Sequence, residues 1–355
     1  MNRKAFRFVR AGALLLMLVS ASAQAAPFAY LSTYSGNIYV LDIATNTVVT
    51  SVAASAGFAY ASAVTPDGTR AYVPSYYGGK VTVVDTATNA TSTIANVGGG
   101  STGMAFNPAG TLAYVANYAV NTVSVLDTNP ADLNYNTIVA TITVGTYPNG
   151  VAVSPDGYRV YVANHHDNTV SVIDANSADA NYNTVIATIN VGSVPVGLAV
   201  SPDGRTVYVP SSGGNDIAII AVDATGTPAP TATFLTLESN PTAAVFDPAG
   251  RCAYVTNQSS ASVSVIDVAS AGIAGTIPVG SGPIGIALTH DGRYAYVANR
   301  NDGTASQIDT ATAKVVATVT LDATKSNADV AAVGKFITPE NTDSVFANDF
   351  GTCGF

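Results

Sequence analysis

One position along this chain collects most of its chemically capable side chains. Tyr34, Tyr76, Tyr118, His165, Ser212, Gln258 and Arg300 each follow a copy of the same short motif. A tyrosine there offers apolar area with a hydroxyl handle, a combination enriched at recognition surfaces. A histidine offers a base that is largely neutral near pH 7, and an arginine a permanent cation. Tyr60 and Tyr147 open inner strands predicted on the same side, His166 follows His165, and Asp329 stands where other copies carry Gly. Tyr34, Tyr60, Tyr76, Tyr118, Tyr147, His165, His166, Arg300 and Asp329 therefore form the candidate ligand-binding set. No catalytic residue is assigned among them. No metal site is assigned either, because adjacent side chains such as His165 and His166 diverge in extended chain.

These side chains need a regular frame. Tyr30, Tyr72, Tyr114, Tyr161, Tyr208, Tyr254 and Tyr296 each open a β-like run, at intervals of 42, 42, 47, 47, 46 and 42 residues, which is the signature of a repeat array. In the copy between Tyr158 and Gly204, the segments 159–164, 169–174, 185–191 and 197–201 are rich in β-branched residues, and the last stops at Pro202-Asp203-Gly204. Four such runs with turn residues between them predict a four-stranded antiparallel meander. One meander cannot bury both faces alone, and a ring of them can. The chain enters in phase with a second strand at Phe28-Ala29-Tyr30-Leu31, and a spare first strand lies at 328–337. Joining the two predicts an all-β, seven-bladed β-propeller of four-stranded antiparallel blades. It closes three-plus-one between the N-terminal strands and the C-terminal strand, leaving no free edge. The propeller is expected over residues 26–339, with a tail over 340–355.

The units YVANYAVNTVSVLD, YVANHHDNTVSVID, YVTNQSSASVSVID and YVANRNDGTASQID, with the linker VGSVPVGLAVSPDG, resemble the YVTN family of bacterial β-propeller repeat proteins. The likeness spans residues 28–339. It weakens in the first, second and fifth copies, which read Leu31-Ser32-Thr33, Val73-Pro74-Ser75 and Val209-Pro210-Ser211 in place of Val-x-Asn. The resemblance implies a repeat scaffold more than a defined reaction. WD repeats are disfavoured, since the chain has no Trp.

Residues 1–25 read as a secretory signal peptide: basic Arg3, Lys4, Arg7 and Arg10, an apolar stretch from Ala11 to Val19, and the small-residue site Ala23-Gln24-Ala25. The expected location is periplasmic or secreted, without membrane insertion. Removing those four basic residues takes the formal charge from −9 to −13, which argues against a nucleic-acid surface. Only 10% of residues are charged, well under the roughly 25% of an average domain. Cys252 and Cys353 are the two cysteines, and an oxidising compartment favours their pairing. The alternative is a buried Cys252 beside an unattached tail.

Other polar features read as turn chemistry. Asp42, Asp85, Asp127, Asp174, Asp267 and Asp309 each end a strand ahead of a turn tract. Gly99-Gly100-Ser101-Thr102-Gly103 fits G-x-S-x-G, but it joins two strands and lacks the helix of a nucleophile elbow. His290 takes the Pro place of a turn. The duplicated loops Asp127–Asn136 and Asp174–Asn183 carry hard oxygen donors that could hold Ca²⁺, yet lack the sharpening Gly; a hydrated loop is the simpler account. No cofactor is implied, since dinucleotide, phosphate-loop and haem motifs are missing.

With no complete catalytic set in view, the leading expectation is a monomeric, non-catalytic binding or scaffold module. It would take a small molecule, a glycan or a partner protein on the Tyr/His arc, and an enzyme is not favoured. The alternatives are a propeller-type hydrolase such as a lactonase, using His165, His166, Asp329 and Arg300, and a cell-surface or adhesion protein.

Overall fold

The computed structural model describes residues 28–321 together with Ile337 and Cys353. The expected leader over residues 1–25, Asp329, most of the segment expected to close the ring and most of the expected tail lie outside the described residues. Within them the chain forms seven antiparallel sheets, six of four strands and one, at the N-terminus, of three. Successive sheets are the blades of a ring, and no helix occurs among the described residues.

Burial explains why the strands of one blade differ in composition. The second and third strands lie between neighbouring blades and are covered on both faces. Arg159–Asn164 and Thr169–Asp174 are buried at all but their first residue. The outer strand Val185–Asn190 alternates between half-buried and exposed positions over most of its length, because one face meets water. Each apolar cluster draws on two adjacent blades. Tyr161, Val170 and Val172 of blade four meet Val207, Val209 and Ile220 of blade five. The repeated tyrosines are thus core residues: Tyr30, Tyr72, Tyr114, Tyr161, Tyr208 and Tyr296 are all fully buried.

The Val-x-Asn motif fastens the second strand to the third. Asn117, Asn164, Asn257 and Asn299 each donate from Nδ2 to two hydroxyls of the next strand, such as Thr169 and Ser171 for Asn164. The same amide needs a glycine opposite. A Cβ at Gly145 would stand 2.5 Å from Asn164 Cγ, and one at Gly280 2.6 Å from Asn299 Cγ.

The ring closes between blades seven and one. Leu31 and Leu41 share a core with Tyr296, Ala305 and Val319. The Tyr296 hydroxyl donates to Ile43 O at 3.1 Å, and Asn46 Nδ2 donates to Gln307 Oε1 at 2.9 Å. Ile337 bridges antiparallel to Ala29 and is buried in the same core. It makes the inner contact of blade one, in the place that Val153 holds against Val160 in blade four. Cys252 and Cys353 form a disulfide with Cα atoms 5.7 Å apart. It fastens a residue of the tail beside the Pro248-Ala249-Gly250 turn, on the face opposite the mouth described below.

Candidate functional site

Two kinds of loop meet at one end of the ring, the mouth: the hairpins between second and third strands, and the connections that lead into each inner strand. Backbone hydrogen bonds lock them together. Tyr76 N–H donates to Phe58 O, Tyr118 to Gly100, His165 to Tyr147, Ser212 to Val194, Gln258 to Asn240 and Arg300 to Gly282, at 2.8 to 3.0 Å. To aim its carbonyl this way, the accepting residue takes positive φ. Gly100 and Gly282 do so at φ 68° and 67°, but Phe58, Tyr147, Val194 and Asn240 do so at 40°, 56°, 60° and 61°. An L-residue there costs about 1–2 kcal/mol relative to glycine, and an aromatic or β-branched one is a genuine outlier. Three of these four are held by an asparagine from the preceding blade. Asn121, Asn168 and Asn215 accept, through Oδ1, the N–H of Tyr147, Val194 and Asn240.

A second device turns residues inward. Each inner strand of blades three, four, six and seven breaks register just after its first residue: Ser101/Met104, Pro148/Val151, Pro241/Ala244 and Pro283/Gly285. Such bulges re-aim a side chain at the rim of a closed sheet. The residues set at this point, Asn149, Thr242 and Ile284, line a cavity of about 190 Å³, together with Tyr60 and Val196 from the matching places in blades two and five. The hairpins contribute Tyr34, His165, Ser212, Gln258 and Arg300, and Asn240 completes the wall.

The candidate residues divide accordingly. Tyr34, Tyr60, His165 and Arg300 line the cavity. Tyr76, Tyr118, Tyr147 and His166 stand outside it, on the rim, in a run of touching rings. Tyr34 stacks on Phe58 with centroids 4.3 Å apart and planes 1° apart. Phe58 meets Tyr76 at 5.4 Å, Tyr76 meets Tyr118 at 6.0 Å, and Tyr118 meets His165 at 5.9 Å. Tyr118 also stacks on Tyr147 at 4.5 Å, and Tyr147 meets His166 at 5.5 Å. At the other end the Arg300 guanidinium lies 4.6 Å over the Tyr34 ring, a cation–π contact. Asp329 lies outside the described residues. Sequence reasoning passed over Phe58, Asn149, Val196, Asn240, Thr242 and Ile284. The available signal was the variable residue between Pro and Gly in each linker, which reads Asn149, Val196 and Ile284 in three copies.

Half-burial lowers the His165 pKa, and the charge of His166 lowers it further, so His165 is a neutral base at pH 7. Burial raises the Tyr60 and Tyr118 phenols, which stay protonated as hydrogen-bond donors. Asp167 is committed elsewhere. It accepts the Thr146 N–H at 2.6 Å, and this bond is the main cause of its lowered pKa. No cluster of three His, Cys, Asp or Glu suited to a metal occurs among the described residues. In the duplicated loops the oxygens bond locally, Asp127 to Asn129 N and Asp174 to Asn176 N. A larger cavity, about 340 Å³, opens on the far face between blades four and five. Its Asp156 and Asp203 carboxylates serve the turns they stand in.

The family described as "Lactonase, 7-bladed beta-propeller" matches residues 63–197 and 187–276, more than half of the chain. The chain belongs to this lactonase family. Membership overturns the expectation of a non-catalytic scaffold and favours the alternative of a propeller lactonase, so an enzyme is possible. That expectation rested on the absence of a complete catalytic set, which the family match outweighs. No curated relative matches the lactonase-family chain in sequence. Solved structures similar to it include a periplasmic gluconolactonase of Pseudomonas aeruginosa, at 18% identity and a TM-score of 0.68 over 83% of this chain and 96% of that one. A functionally unknown protein of Desulfotomaculum acetoxidans aligns at 16% identity and 0.71, over 88% and 98%. Hydrazine synthase of Kuenenia stuttgartiensis aligns at 23% and 0.61, over 73% and 78%. At these identities the likeness is one of fold.

Proposed function

We propose that this propeller hydrolyses a lactone held at its mouth. The observation that carries the reading is the joint placement of His165, Arg300 and the amides of Asn149, Asn240 and Gln258 on one cavity, in a chain of the lactonase family. Neutral His165 takes a proton from water as the water oxygen attacks the lactone carbonyl. Charge then builds on the carbonyl oxygen, where Arg300 and the amide donors stabilise it. Collapse breaks the ring C–O bond, and the leaving alkoxide recovers the proton from His165. Lactone plus water gives an open hydroxy acid, and the enzyme returns to its starting state. The name of the Pseudomonas neighbour points to a sugar lactone as the first compound to test. The Cys252–Cys353 disulfide favours an oxidising compartment, in keeping with a periplasmic or secreted enzyme.

The test is hydrolysis of glucono-δ-lactone in a pH-stat, corrected for the spontaneous reaction. The parent enzyme is expected to exceed that background, and His165→Ala to lose about 10²-fold or more in kcat. Arg300→Ala should lose about as much as removal of one oxyanion donor, roughly 10²-fold. A parent protein inactive across a panel of lactones refutes the reading.

A further inference from the structure

The rim carries more aromatic surface than a pocket for one small ring can use. At about 190 Å³ the cavity is smaller than the roughly 300 Å³ at which ligand sites usually begin, which suits a single monosaccharide-sized ring. Beyond it Phe58, Tyr76, Tyr118, Tyr147 and His166 continue as a connected run of rings. None of them belongs to a core cluster between blades, and Tyr147 is 39% exposed.

Two of these rings are kept against a backbone preference. Phe58 and Tyr147 occupy positive-φ positions that blades three and seven fill with Gly100 and Gly282. Both make the same kind of contact, a near-parallel stack on the hairpin tyrosine of the preceding blade, Tyr34 or Tyr118. The positive φ serves the hairpin carbonyl here as it does at Val194 and Asn240; what sets Phe58 and Tyr147 apart is an aromatic ring retained in one repeated stacking geometry.

The chemistry of the lining selects among ligands. Amides at Asn149, Asn240 and Gln258 face the same space as the Tyr34 and Tyr60 rings. Amides bond hydroxyl groups, and aromatic faces cover apolar C–H faces; a saccharide presents both. An aryl or alkyl substituent would leave the amides idle. Arg300 is the single cation among the lining residues, too little for a phosphate group, which is ordinarily held by several donors and charges.

We propose that the natural substrate is the lactone end of a neutral, oxidised oligosaccharide. Its lactone ring enters the cavity, and the sugar units behind it lie along the aromatic crescent from Phe58 to Tyr147. This specificity rests on the lactonase reading above.

The experiment compares glucono-δ-lactone, 6-phosphogluconolactone, cellobiono-δ-lactone and maltobiono-δ-lactone on the full protein. At least one disaccharide lactone is expected to show a kcat/KM about five- to ten-fold above that of glucono-δ-lactone, the scale of one stacked ring. In the Phe58→Gly/Tyr147→Gly variant that ratio should fall toward one. Glycine suits both backbones, so a thermal midpoint equal to the parent's confirms that the variant is folded. Equal kcat/KM for mono- and disaccharide lactones, preference for the phosphorylated compound, or an unchanged ratio in the folded variant overturns the proposal. Calorimetry with unreactive cellobionate and maltobionate separates the two readings. If no lactone is hydrolysed but one of these acids binds the parent and not the variant, the crescent stands and the hydrolase falls. If neither acid binds, the crescent falls.

Discussion

The two ends of the ring are made by one repeat and follow opposite rules. At the far end the same side chains recur from blade to blade, and each serves its own turn. Asp42, Asp85, Asp267 and Asp309 accept amides of the loops they open, and Asp67, Asp203 and Asp291 do the same in the inner turns. At the mouth the equivalent positions run through Tyr, His, Ser, Gln and Arg, and the side chains meet partners from other blades. The backbone bonds beneath them remain uniform, at 2.8 to 3.0 Å in six hairpins. The difference shows how a repeat fold separates tasks: the frame lies where copies agree, and the chemistry lies where they disagree over an unchanging backbone.

Several substitutions break or sharpen this division. The largest effect belongs to a pair four residues apart. Tyr114→Ala removes a buried frame ring and should cost about 3–5 kcal/mol in urea unfolding. Tyr118→Ala removes a rim ring and should cost less than about 1.5 kcal/mol. Equal losses would erase the distinction between frame and mouth. Next, Cys353→Ser opens the bond whose partners lie 101 residues apart and should remove about 2–5 kcal/mol. The thermal midpoint should fall while lactone hydrolysis well below it is preserved, because the disulfide sits on the far face. Asp309→Ala should cost about 1 kcal/mol, also without a change in turnover; a fall in kcat would mean that the two ends are coupled.

The smallest effect is electrostatic. His165 is held below the usual imidazole range first by burial and then by His166. Its base form therefore survives into mildly acid solution, and kcat/KM should decline only as pH drops beneath about 6.5. His166→Ala removes the second influence and leaves the first, so the acid limb should move toward higher pH. A limb that moves the other way would mean that the profile reports a group other than His165.

The ring was readable because the strand-forming residues are copied with little change, and because the repeat phase left an inner place beside Ala29 that Ile337 fills. The hairpin residues were readable for the complementary reason, as variation at a constant position. The inner half of the cavity was not. Asn149, Thr242 and Ile284 sit in linkers whose Pro and Gly suggest a plain connection, and the bulge that turns them inward is a property of register between strands. Phe58 escaped notice because residue type argues against its backbone conformation. Only the carbonyl it must present to Tyr76 explains why the chain tolerates it there. Likewise, the spacing of the repeated Asp residues could not show which amides they bind, although the turn residues around them indicated the use.

Among the described residues, Ala29, in the first strand of the ring, finds its inner partner in Ile337. A growing chain must therefore hold an open arc until Ile337 has been made, about 300 residues after Ala29, with the earliest strand still bare along one side. Termination before Ile337 would not yield a slightly smaller ring. It would yield a half-finished wheel whose exposed strand can recruit the corresponding strand of another copy, so the quality of this protein in a cell depends on whether synthesis reaches that one residue.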